Sequence, residues 1–188
     1  MILPVVKYGN PVLRQKGAKI EAVTSEIKKF IADMFETMEA NHGVGLAAQQ
    51  VGVAKQLTVI NVREVKDRPS WVELNGQPAD VNDIMPLVLI NPVVTGVGES
   101  VKGSEGCLSF PEVYAEICRP ETVDVRALDA KGEPIAFRCG GLLARAVQHE
   151  TDHLNGILFI DRMEKKTKQE LQAELDYLQA ETKAAMKK

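Results

Sequence analysis

Apolar residues recur along this chain with two different periods, and the periods divide it into elements. Ile27, Phe30, Ile31, Met34, Phe35 and Met38 follow the i, i+3, i+4, i+7 spacing of one helix face, which predicts a helix over 25–42. Thr24 or Ser25 is placed to cap its start, Glu26 suits the first turn, and Gly43 is placed to stop it. The Met and Phe stripe of this helix reads as core. Short β-type runs follow at 57–62, at 87–90 with Val93 and Val94 beyond Pro92, at 122–128 and at 135–139. Asp129-Ala130-Lys131-Gly132 is a turn signal that makes the last two runs a hairpin. Gly140-Gly141 breaks the strand before a second helix over about 142–155, Gly156 is placed to end that helix, and 157–160 reads as extended. A third helix over 165–186 carries Leu171, Leu175 and Leu178 on one face. Residues 63–86 hold Pro69, Trp71, Gly76, Pro78 and Pro86 with weak periodicity, and are read as a long loop or irregular hairpin. Strands gather in the middle and helices at either end, which favours an α+β fold with mostly antiparallel sheet over a doubly wound one.

Composition narrows the class. A chain of 188 residues, 45% hydrophobic and 26% charged, suits one soluble domain with a sizeable core. The net charge of -3 argues against general nucleic-acid binding, so no DNA partner is expected. The apolar stretch Met1–Val6 is short, with no preceding basic residue and no following cleavage site, and does not read as a signal peptide. No apolar run approaches the ~20 residues of a membrane span, and no membrane partner is expected. Three cysteines, Cys107, Cys118 and Cys139, are an odd and widely spaced set that gives no disulfide framework. Free thiols suit a reducing compartment, and the expected location is the cytoplasm.

The chemistry concentrates in three segments. His149-Glu150-Thr151-Asp152-His153 is an H-E-x-x-H pattern inside an apolar helical stretch. Positions i and i+4 share a helix face, so the two imidazoles can grip one metal ion, with Glu150 beside them as a candidate general base. A histidine pair also occurs in packed cores as plain hydrogen-bonding groups; a third ligand decides between the two, because catalytic sites typically use three protein ligands. The spacing that places a third histidine six residues on puts Phe159 there, which binds no metal. Glu170, Glu174 and Glu181 read as the solvated face of the last helix. Cys107, in Ser104-Glu105-Gly106-Cys107-Leu108-Ser109-Phe110-Pro111, is the best remaining candidate, a soft anionic ligand suited to zinc or ferrous iron. Cys118 and Cys139 fall in predicted strands and read as buried small hydrophobes. In the third segment, Gly43-Val44-Gly45-Leu46-Ala47-Ala48-Gln49-Gln50, the two glycines permit positive φ and a wall without side chains. It lacks the spacing of a phosphate-binding loop.

Together these segments resemble the peptide deformylases. Gly43 to Gln50 is similar to the family's G-x-G-L-A-A-x-Q motif, Glu105 to Ser109 to E-G-C-L-S, and Gln148 to Leu154 to Q-H-E-x-D-H-L, in the family's order. The resemblance spans about residues 1–162. It implies an α+β fold with sheet packed around a central helix carrying H-E-x-x-H. It divides the chain into a catalytic domain, 1–164, and a C-terminal helical extension, 165–188. It implies removal of the formyl group from the N-terminal formyl-methionine of new polypeptides, with release of formate. By position it makes Cys107, His149 and His153 the metal ligands and Glu150 the general base and acid. Gln50, through its side chain, and Leu108, through its backbone N–H, become the oxyanion donors, and Gly43, Val44 and Gly45 one wall of the methionine pocket. The implied metal is ferrous iron, with zinc, nickel or cobalt able to replace it. The lysines of the last helix allow contact with the ribosome near the emerging chain.

Two departures stand out: 63–86 is longer than in compact members, and Phe110 stands where an aliphatic residue is commoner. Two other functions fit the metal pattern. A metallopeptidase with a Cys-His-His site is separated by whether internal amide bonds are cut. A structural zinc domain needs a fourth protein ligand, and His42, at a helix end, is poorly placed for it.

Overall fold

A computed structural model describes residues 1–188. Its strands, β1 (Gly45–Ala47), β2 (Leu57–Ile60), β3 (Ser70–Leu74), β4 (Gln77–Ala79), β5 (Leu87–Cys107), β6 (Phe110–Leu128) and β7 (Pro134–Gly141), form one sheet of order β1-β2-β5-β6-β7-β3-β4. Every pairing in it is antiparallel. Three helices complete the fold: α1 (Ser25–Ala40), α2 (Leu142–Leu154) and α3 (Lys165–Met186).

The periods seen in the sequence decide what each element faces. Along β2 and the start of β5 side chains alternate between the two faces. Leu57, Val59, Val88 and Ile90 pack under α1 with Ile27, Ile31, Met34 and Met38. Ile60, Leu87 and Leu89 point the other way, onto α2, where they meet Leu143 and Val147. The sheet is thus sandwiched between α1 and α2, and α2 is buried along most of its length. Leu175 of α3 is buried with Leu13, Phe110, Ile117 and Phe159, flanked by Leu171 and Leu178.

The predicted elements fall where periodicity was strong. Thr24 caps α1 by accepting from the Ile27 N–H. Its end differs from expectation: α1 stops at Ala40, and His42 takes the left-handed turn at φ 57°, while neither Gly43 nor Gly45 has positive φ. Past α2, Gly156 turns at φ 73° as anticipated, but Phe159–Arg162 is a 3-10 turn rather than a strand. The Leu158 N–H there bonds the Asp161 side chain, which favours tight coiling. Cys118 is exposed on β6, not buried, because the inward positions are Ala115, Ile117 and Arg119 and Cys118 falls between them. Cys139 is fully buried, and burial pushes its thiol up to about 12. The segment 63–86 is an irregular hairpin, β3–β4, joined to the sheet through β7.

Candidate active site

Three chain segments far apart in sequence meet in one pocket of about 530 Å³, a volume in the range of small-ligand sites. Helix α2 brings His149 and Glu150 to its lining, with His153 buried one turn on; the end of β5 and the turn after it bring Cys107 and Leu108; the 3-10 turn after β1 brings Gln50. Cys107 Sγ and one nitrogen from each histidine lie within 4.8 Å of one another. Cys107 Sγ is 3.4 Å from His153 Nε2.

Buried charge sets the orientation of this group. Glu105, two residues before Cys107, lies 2.8 Å from His149 Nδ1. Burial alone would raise Glu105, but the hydrogen bonds from His149 and Arg119 override it and hold the carboxyl at about 2. An ionised carboxylate can only accept, so Nδ1 carries the hydrogen and donates to Glu105. Burial opposes a charge on His149, but its hydrogen bonds to Cys107 and Glu105 hold it well above its usual range, so its other nitrogen would serve as a metal ligand once an ion displaced the proton there. Arg119 forks onto Glu105 (2.6 and 2.9 Å) and reaches Asp152 of α2 at 2.8 Å. Arg145 adds a bond of 2.9 Å to Glu105, and Arg162 closes on Asp152. Every charge in this buried network has a partner, and breaking one such pair typically costs about 3–5 kcal/mol. The network clamps α2 to β5 and β6 at the level of the histidines.

The donor set fits a divalent metal ion. It pairs a soft thiol with two imidazoles, one of them oriented from behind by Glu105. Burial holds His153 well below its usual range, hence neutral and able to donate a lone pair. Glu150 is not among the converging atoms. Its Oε2 is buried without a hydrogen-bond partner, and burial pushes its carboxyl up to about 7.

Gln50 is held by its carbonyl end. Gln50 Oε1 accepts from the Ala47 N–H at 2.9 Å, which turns Nε2 toward Cys107 Sγ (3.5 Å) and Ser109 Oγ (3.3 Å). The N-terminal segment ties the two halves of the pocket together. The Val6 N–H donates to Gln50 O, Lys7 Nζ to Leu108 O and the Tyr8 N–H to Ser109 O, at 2.8, 3.1 and 2.9 Å. Gly43, Val44 and Gly45 line the pocket together with Leu142 and Ala146. Gly45 is required by a close approach: a Cβ there would lie 2.8 Å from Glu150 Cγ and Oε1.

The residues picked out in the three motifs therefore gather here. Nothing in the local sequence assigns a role to Glu105, Arg119, Arg145 or Lys7. Arg119 left one trace: it continues the inward-facing series Val113, Ala115, Ile117, and a charge on an apolar face needs a buried partner.

The sequence profile of the polypeptide deformylase family matches residues 2–169. Over its whole length the chain is 44% identical to a peptide deformylase of Opitutus terrae, covering 98% of that protein. The fold is similar to that of a peptide deformylase from Synechococcus elongatus solved with actinonin, with TM-score 0.78 and 40% identity over 94% of this chain and 85% of that one. It is similar also to a peptide deformylase from Ehrlichia chaffeensis, with TM-score 0.79 and 34% identity over 100% of this chain and 98% of that one.

Proposed function

Because the chain belongs to the polypeptide deformylase family, we propose that Cys107, His149 and His153 hold the divalent ion with which it removes the N-formyl group from nascent polypeptides. The observation that carries this assignment is the convergence of these three ligand atoms at the pocket that Glu150 and Gln50 line. The thiol and imidazole set suits ferrous iron, which we take as the native metal. When bound, such an ion supplies Lewis acidity, polarising the formyl carbonyl and lowering the pKa of water.

The chain's own residues do the rest. Glu150, buried and poised near neutrality, takes a proton from the attacking water and delivers it to the departing amine. Gln50 Nε2, which is turned toward Cys107 Sγ, and the N–H of Leu108, a residue of the same pocket, donate to the formyl oxygen as it gathers charge. Gly43, Val44 and Gly45 leave room on one side for the methionine side chain. Residues 1–164 form the catalytic domain and 165–188 a helical extension. The extension's exposed Lys165, Lys166, Lys183, Lys187 and Lys188 suit contact with ribosomal RNA, tested by co-sedimentation with ribosomes after truncation at Glu164. Unpaired cysteines agree with a cytoplasmic location.

The test of function is formate release from a formyl-Met peptide by anaerobically prepared protein, followed by analysis of the peptide. Formate with an intact chain is expected; internal cleavage would favour a metallopeptidase.

Two substitutions probe the pocket. Gly45→Ala should push Glu150 aside and lower kcat/KM about 100-fold, since a misplacement near 1 Å is enough for that. Circular dichroism should show the fold retained, and parental kinetics would mean that Glu150 tolerates displacement. Gln50→Ala should lower kcat about 10²–10³-fold with little change in KM, because its amide meets charge that exists only in the transition state. A raised KM at normal kcat would make Gln50 a substrate-binding group instead.

A further inference from the structure

The irregular hairpin carrying β3 and β4 is attached to the catalytic helix itself. The first N–H groups of α2 find their acceptors outside the helix: Leu142 N–H donates to Pro69 O and Leu143 N–H to Ser70 Oγ, both at 3.0 Å. No side chain of Gly141 can do this, so residues 69–70 cap the helix from another part of the chain. The residue just before this pinned pair is Arg68. It is half-buried and lines the catalytic pocket. It also lines an adjoining cavity that shares Ser104, Leu142 and Arg145 with the first.

The other charges around the pocket have partners or lie deep. Arg145 is committed to Glu105, Lys7 to the Leu108 carbonyl, and Lys102, in the adjoining cavity, to Glu164. Among carboxylates, Glu105 is fully engaged and Glu150 is buried, leaving exposed Glu112 on the β6 side. Asp67 and Glu121 flank the adjoining cavity, and Glu121 accepts from the Gly141 N–H. Arg68 makes no ion pair and no hydrogen bond within the chain, so its guanidinium is free to meet a ligand.

We propose that Arg68 is a specificity-determining residue that reads charge on the peptide, favouring substrates with an acidic side chain in the residues that follow formyl-methionine. A guanidinium fork on a fixed backbone suits a carboxylate. The residues after methionine must leave the pocket past its rim, where Arg68 stands. This inference rests on the deformylase activity, and concerns only which peptides that activity prefers.

The experiment compares kcat/KM for formyl-Met peptides carrying Glu, Gln or Lys at the second or third residue. A solvated pair contributes little, so the parent should prefer Glu over Lys by about three- to tenfold at low ionic strength, less at high salt. Arg68→Gln should bring the ratio near one, Arg68→Glu should invert it, and Arg68→Lys should preserve its direction. Glu112→Gln should enlarge the parental preference by removing the opposing rim charge. A parent ratio of one, or a ratio unchanged in Arg68→Gln, would overturn the proposal. Absence of formate from every peptide would overturn the activity on which it rests.

Discussion

Glu150→Gln is expected to keep its metal and lose its turnover. The carboxylate lies outside the ligand cluster, so one metal ion per chain should remain. Glutamine matches glutamate in shape and fits the space that Gly45 leaves, so the fold should persist. What disappears is a group able to accept and return a proton near neutral pH, a capacity that burial creates by bringing Glu150 to about 7. General acid–base catalysis typically contributes about 10²–10⁴-fold, so formate release should fall below about 1% of the parental rate. Metal analysis and a formate assay on the same preparation check this. Residual turnover well above that level would assign the proton transfers elsewhere.

Cys107→Ser is expected to have a comparably large effect through a different step, loss of the metal. A neutral hydroxyl replaces a soft anionic ligand, and two histidines alone make a weak site. The other cysteines supply the contrast. Cys118 is exposed on β6, and Cys118→Ser should leave metal and activity intact. Cys139 is fully buried and its thiol stays protonated, far from the ligand role. Cys139→Ser should also retain metal and activity, but a buried hydroxyl without a partner costs about 1–3 kcal/mol, seen as a lowered Tm. Metal stoichiometry, formate release and thermal melting of the three variants, prepared without oxygen, separate these outcomes. Full metal content in Cys107→Ser would remove Cys107 from the ligand set.

The sequence was most readable where one physical pattern acts alone. Periodicity predicts the third helix over 165–186, and α3 spans Lys165–Met186, because its Leu stripe and charged face repeat without interruption. The metal pair was readable because i and i+4 on a helix converge whatever surrounds them. The strands β5 and β6 were seen only in part. Their pairing shifts register between Ile90 and Val93, between Val97 and Ser100, and between Gly106 and Cys107, so no single alternation runs through them. Cys107 could be nominated from sequence, but Glu105 behind His149 could not, since its role depends on a contact made across 44 positions. Arg145 reads locally as a charge on a helix; only the fold shows it buried against Glu105 and the Ile117 carbonyl. The glycines of the first motif were expected to supply unusual backbone angles. The requirement at Gly45 is instead the absence of a Cβ beside Glu150, which no local pattern reveals.

The most direct test of the account is an anaerobic titration. Protein stripped of metal by a chelator is supplied with increasing ferrous iron, and formate release from a formyl-Met peptide is followed. Activity should rise in proportion to bound iron and stop at one equivalent per chain, and Cys107→Ser should show neither the rise nor the break. Full activity in the stripped protein, or a rise that Cys107→Ser shares, would contradict a metal centre built from Cys107, His149 and His153.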